Sequence, residues 1–139
     1  MNHSYDSLRV LVVDDDGRLR SELVAALEDE GIKIAGQASD GRSAIVIAAE
    51  IEADVLVMDL RMPGVNGIEA ARQVRLQPDP PEIVLLSAYD DPALRAAALE
   101  AGVFDYLVKG CRVEFLAGVV YTAGRQAQDR RKLMVRHGA

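Results

Sequence analysis

Cysteine is almost missing from this 139-residue chain, with Cys111 its single instance. No internal disulfide can form, and a reducing cytoplasm is the expected compartment. Cys111 itself reads as a structurally ordinary thiol. Histidine is nearly as scarce: His3 and His137 stand near opposite termini, which speaks against a catalytic or metal-binding histidine pair. No apolar run approaches the ~18 residues that a membrane-crossing helix needs. The opening "MNHSYDSLRV" lacks the basic-then-apolar layout of a secretory signal. Positive charge is in deficit, 16 Lys and Arg against 22 Asp and Glu, for a net charge of −6. The deficit is uneven. Residues 125–139 hold Arg125, Arg130, Arg131, Lys132 and Arg136 against Asp129 alone. That surplus of four leaves the rest of the chain at −10. An acidic body argues against direct nucleic-acid binding by the domain, and the basic tail reads as a solvated helix end.

What the chain does have is apolar residues, 50% of the total, enough for one domain with a buried core. They gather in short runs: "VLVV" at 10–13, "VLVM" at 55–58, "IVLL" at 83–86 and "YLV" at 106–108. Each is too short for a helix and does not alternate, as expected of strands covered on both faces of a parallel sheet. "IKIAGQA" at 32–38 alternates near its start, the mark of an edge strand. Helical segments separate the runs. Leu19, Leu23, Ala26 and Leu27 form a stripe ended by Gly31, and 41–52 is rich in Ala and Ile. Asn66-Gly67 opens a helix with Ile68, Ala71 and Val74, and Asp91-Pro92 opens another that Gly102 closes. The last helix starts near Arg112 and is expected to bury Phe115, Leu116, Val119 and Val120. The order is β-α five times. Right-handed crossovers then predict an α/β, flavodoxin-like, doubly wound (βα)5 sheet of five parallel strands in the order 2-1-3-4-5. The expected division is a domain over 8–123 and a basic helical extension or linker over 124–139.

The residues that end the apolar runs carry the chemistry. The first run stops at Asp14-Asp15, the third strand at Asp59, the fourth at Ser87 and the fifth at Lys109. In a parallel sheet these ends emerge at one edge, so three carboxylates, a hydroxyl and an ammonium meet in one crevice. At ~5 Å and an effective dielectric of ~20, each carboxylate pair costs roughly 3 kcal/mol. A hard dication relieves that repulsion, and oxygen ligands favour Mg²⁺, with Mn²⁺ possible. Such an ion draws in a phosphoryl group, Lys109 holds a second oxygen and Ser87 donates to a third. An aspartate then accepts the group covalently. Tyr89 lies two residues past Ser87 and Arg61 two past Asp59, so both should flank the path of attacking water.

The stretches "VLVVDDD", "DVLVMDLRMPGVNGIEAAR", "IVLLSAY" and "AGVFDYLVKG", in that order and spacing, resemble the receiver domain of two-component response regulators. The second stretch is similar to receivers that precede helix-turn-helix output domains. The resemblance implies Asp59 as phosphoacceptor, Asp15 as a direct metal ligand and Asp14 as a support through water. Asp59 itself and the backbone carbonyl of Arg61 complete the implied metal set. Ser87 is then the switch hydroxyl, Tyr106 the rotating aromatic and Lys109 the family's lysine, with Pro63-Gly64 supplying a bend. It also implies a sensor histidine kinase as donor, a phosphorylation-dependent homodimer, an output domain or protein partner, and no enzyme activity beyond self-phosphorylation and self-dephosphorylation. The signal is expected to leave over the fourth helix, fifth strand and fifth helix. The chain departs from the pattern at Gly110, where many receivers have a cis proline. A non-proline cis bond costs ~2.5–4 kcal/mol.

A different class stays open on the sequence. "VVDDDGRL" also fits the opening of haloacid-dehalogenase-like phosphatases, with Asp14 as nucleophile and Asp16 as acid/base. Those enzymes need an acidic pair after the lysine, and only Glu114 and Asp129 follow Lys109. The reading also leaves Asp59 idle, and Asp16 is the natural first residue of the turn into the helix. No G-x-G-x-x-G follows the first strand, which disfavours a dinucleotide module.

Overall fold

In the computed structural model the described residues are 8–136, with side chains through Met134. Residues 1–7, with His3, and His137 lie outside them. Ten elements follow one another: β1 (Val10–Val13), α1 (Gly17–Asp29), β2 (Ile34–Ala38), α2 (Gly41–Glu50), β3 (Val55–Asp59), α3 (Gly67–Arg75), β4 (Glu82–Ser87), α4 (Pro92–Glu100), β5 (Asp105–Val108) and α5 (Val113–Arg136). The strands form one parallel sheet in the order β2-β1-β3-β4-β5. This is the flavodoxin-like arrangement expected from the alternation.

Two apolar layers sandwich the sheet. Leu11, Val13, Leu56, Met58, Ile83, Leu85 and Tyr106 face α2, α3 and α4. Val10, Val12, Val57, Val84, Leu86 and Leu107 face α1 and α5. Every residue of β1, β3 and β4 is buried, which is why those runs are continuous rather than alternating. β2, at the edge, is only partly covered.

Side chains start the helices. Asp16 caps α1, accepting from the amides of Arg18 and Leu19, and Asp40 caps α2 through Ser43. Asn66 caps α3, and Asp91 caps α4 with Pro92 in its first turn. Gly31 and Gly102, at φ +90° and +98°, follow the ends of α1 and α4 in the left-handed conformation that terminates helices.

Three expectations change. Phe115 is 55% exposed: the buried face of α5 runs through Leu116, Ala117, Val120, Ala123 and Ala127, which turns Phe115 outward. Leu19 is likewise exposed, so the inward stripe of α1 is carried by Leu23, Ala26 and above all Leu27. The last helix also passes Ala123 without interruption and continues to Arg136. Its charges are not all solvated, because Arg130 and Arg131 reach acidic groups on the body.

Candidate phosphoacceptor site

Register places the site. Asp59 ends β3 opposite Leu86, and Ser87 ends β4 opposite Val108. Asp14 and Lys109 each come one residue after their strands. The carboxyl edge of the central strands therefore collects the groups expected there. One carboxylate oxygen each from Asp14, Asp15 and Asp59 lie within 4.8 Å of one another. Asp14 and Asp59 are 6% and 7% exposed and Ser87 only 1%, whereas Asp15 faces solvent.

Lys109 is the counter-charge. Its Nζ lies 3.2 Å from Asp59 Oδ2 and 3.9 Å from Asp14 Oδ2. The Arg61 amide donates to Asp59 Oδ1 at 3.3 Å. Burial nevertheless raises the Asp59 carboxyl above its ordinary value; Lys109 opposes that rise and Asp14 adds to it. The cluster thus holds more negative charge than its own lysine balances. Hard carboxylate oxygens at this separation suit a divalent cation with room for water.

The loop after β3 is shaped by close approach. A Cβ on Gly67 would sit 2.8 Å from the Asp59 carbonyl oxygen and 2.9 Å from Leu60 Cα, so only glycine lets α3 begin against the end of β3. The Lys109-Gly110 peptide is trans, with Gly110 at φ +93°; the loop turns at glycine rather than at a cis bond.

Around the rim, Arg61 stacks on Tyr89, its Cζ 5.3 Å from the ring centroid. The Tyr89 amide donates to Ser87 Oγ at 3.1 Å. Tyr106 is fully buried and points inward, its hydroxyl donating to the Tyr89 carbonyl at 2.7 Å. Arg95 of α4 covers Tyr106 at 4.9 Å from its ring centroid and donates to its carbonyl at 2.9 Å. Arg95 had no sequence signal, since a lone arginine in an Ala-rich helix resembles any solvated residue. Arg20 was equally silent, yet its Nη1 donates to the Asp14 carbonyl at 2.7 Å and fixes the β1–α1 turn.

The structure does not favour the phosphatase alternative. Asp16 is exposed and its Oδ1 is occupied as the α1 cap, accepting at 3.0 and 3.1 Å. Asp14 Oδ1 in turn accepts the Asp16 amide at 2.9 Å. An acid/base role for Asp16 would cost the helix its cap, and Asp59 would have no part in the reaction.

A parallel α/β sheet with an acidic pocket and a lysine at its carboxyl edge defines a class of signalling domain, and the comparisons name the family. Residues 10–121 match the family model described as the response regulator receiver domain. The chain belongs to that family. It is 35% identical over 119 residues to the transcriptional regulatory protein LiaR of Bacillus subtilis, a match covering 85% of this chain and 56% of LiaR. The signal receiver domain of the response regulator NarL from Mycobacterium tuberculosis superposes with a TM-score of 0.80 at 32% identity, covering 85% of this chain and 96% of that one. A receiver domain of Saccharomyces cerevisiae Ssk1, solved with the histidine phosphotransfer protein Ypd1, gives 0.75 at 29% identity over 86% of this chain and 91% of that one. The chain spans about half the length of the curated relatives it matches.

Proposed function

We propose that Asp59 accepts a phosphoryl group from a phosphohistidine on a sensor kinase or a phosphotransfer protein. The observation that carries this is the pocket itself: three carboxylates within 4.8 Å with the Lys109 ammonium 3.2 Å from the one that ends β3. A carboxylate oxygen of Asp59 forms the new P–O bond while the bond from phosphorus to its carrier breaks. The leaving imidazole departs with the bonding pair and takes up a proton. Lys109 holds a phosphoryl oxygen as a point charge, and Ser87, whose oxygen accepts the Tyr89 amide, keeps its hydroxyl hydrogen to donate to another. Asp14, Asp15, Asp59 and the Arg61 carbonyl would hold Mg²⁺, or Mn²⁺, which when bound neutralises charge on the incoming group.

The same contacts give the domain an output. Ser87 engaged by a phosphoryl oxygen favours the β4–α4 loop position in which the Tyr89 carbonyl meets the Tyr106 hydroxyl. Inward Tyr106 then fixes α4 through Arg95, altering the surface of α4, β5 and α5. The partner of that surface is a second copy of the chain, an output domain or a separate protein. Ssk1, solved with a histidine phosphotransfer protein, supports the donor class, and the name of LiaR supports transcription control as the kind of output. The acidic body supports an output without direct nucleic-acid contact by this domain. No described helix is long and apolar enough to cross a membrane, and the lone cysteine fits a cytoplasmic setting.

Incubation with a small phosphodonor such as acetyl phosphate and Mg²⁺ should add one phosphoryl mass to the intact protein. Asp59→Asn or chelation of the metal should prevent it. A phosphoryl group mapped to Asp14 would overturn the assignment.

A further inference from the structure

Two buried carboxylates sit far from the pocket, at the opposite, amino edge of the sheet. Asp54 and Glu82 are 2% and 3% exposed, and they are neighbours, since the Glu82 amide donates to the Asp54 carbonyl at the entrance to β3 and β4. A buried charge without a partner is strongly unfavourable. The body supplies little to meet that cost: the Arg9 amide reaches Asp54 at 2.8 Å, and Arg75 Nη1 stands 3.6 Å from Glu82. The charges that match them come from the end of α5, past the last residue, 121, of the family match.

Two adjacent arginines divide the work by strand. Arg131 donates Nη1 to the Asp54 carboxylate and Nη2 to the Ala53 carbonyl at 2.9 Å, closing the entrance to β3. Arg130 donates Nη1 to the Glu82 carboxylate and Nη2 to the Pro80 carbonyl, closing the entrance to β4. Asp79, in the loop between α3 and β4, lies between them, 2.6 Å from Arg131 Nε and 4.0 Å from Arg130 Nη2. Gln126 adds a donor to Glu82 at 3.2 Å, and Gln128 one to Asp54 at 3.5 Å. Packing agrees with charge. Ala123 and Ala127 are fully buried, and a Cβ on Gly124 would collide with a Leu8 methyl carbon. The helix lies flush on the body here.

We infer that residues 122–131 form an ionic clasp that closes the amino edge of the sheet and makes the extension of α5 a rigid part of the receiver. The basic tail and the acidic body are then two halves of one contact. α5 has no hinge at Ala123, so motion at the carboxyl edge reaches residues beyond Arg131 only as movement of the whole helix.

Native-state hydrogen exchange on the full chain tests this. Amides of 122–132 in the unaltered protein should be protected to the level of β3 and β4, and exchange as fast as a frayed helix end would overturn the clasp. Arg130→Ala with Arg131→Ala should speed exchange across 122–132 by about 100-fold, as expected when buried ion pairs are broken. Unchanged rates in that variant would overturn the inference too. Adding Asp54→Asn and Glu82→Gln should recover much of the lost protection, because neutral side chains no longer need the arginines. If the alanine pair does not fold, the fourfold variant decides: restored folding supports the clasp and continued failure sinks it.

Discussion

Asp59 carries a negative charge in a place that resists it. Burial raises its carboxyl, Asp14 raises it further, and Lys109 at 3.2 Å recovers only part of the cost. A raised native value means that the metal-free folded state binds more protons than the unfolded chain. The group's stabilising contribution is present below the unfolded carboxylate range and is lost as pH rises through the native value. Asp59→Asn should therefore melt higher than the unaltered protein at pH 7 in chelator. A gain of about 1 kcal/mol would appear as roughly 3–5 °C in a domain of this size, and it should vanish near pH 3. A lower melting temperature for the variant at pH 7 would show that the Lys109 ion pair outweighs burial. Added Mg²⁺ should reverse the ranking, by about 2.7 kcal/mol for the unaltered protein at a hundred times its dissociation constant. Lys109→Ala should remain folded, since the side chain is one-third exposed and adds little packing. It should bind Mg²⁺ yet give no conformational response to a beryllofluoride mimic. An unfolded variant would show the lysine to be a structural counter-ion above all.

The loops and helices around that residue set how long a phosphoryl group would persist. Arg61 and Tyr89 stack on each other over the rim, and in the proposed reaction that stack would stand on the approach of water to a phosphoryl group on Asp59. In-line attack tolerates little misplacement. Tyr89→Ala, alone or with Arg61→Ala, should speed phosphate loss several-fold, read as the decay of the phosphorylated mass. Unchanged or slower decay in both would remove the stack from that role. The spacing of these two residues from Ser87 and Asp59 was visible in sequence, because each strand end fixes what lies two residues beyond it. The buried strands were visible for the same kind of reason: a run such as "VLVV" has no other way to hide both faces. The facing of α5 was not. Phe115, Leu116, Val119 and Val120 span a stripe wider than the groove, and only contact with the sheet decides that Ala117 goes in and Phe115 stays out. The bonds of Arg95 to Tyr106 and of Arg20 to Asp14 were illegible because they end on backbone carbonyls, which every residue possesses.

At the scale of the whole molecule, two edges of one sheet carry opposite duties. The amino edge is closed by arginines on Asp54, Asp79 and Glu82, a contact that sequence shows only as a basic tail and an acidic body with no hint of where they meet. The carboxyl edge carries more negative charge than Lys109 balances. In the proposed function a change there travels outward through Tyr106. Tyr106 is fully buried, but the surface over it is not: Arg95, Lys109, Cys111 and Phe115 line a groove between α4 and α5, and Leu99 and Phe115 are about half exposed beside it. In the proposed switch, Tyr106 held inward by the Tyr89 carbonyl would draw α4 close through Arg95 and so set the width of that groove. Beryllofluoride with Mg²⁺ should accordingly shift backbone resonances throughout 90–121, well beyond the pocket residues, and change self-association or partner binding there. Phe115→Glu should abolish any such association while leaving Asp59 as readily phosphorylated, because Phe115 touches the groove and not the carboxylates. Resonance changes confined to the pocket, with Tyr106 in one rotamer in both states, would mean that the signal leaves through movement of the clasped α5 as a single rod.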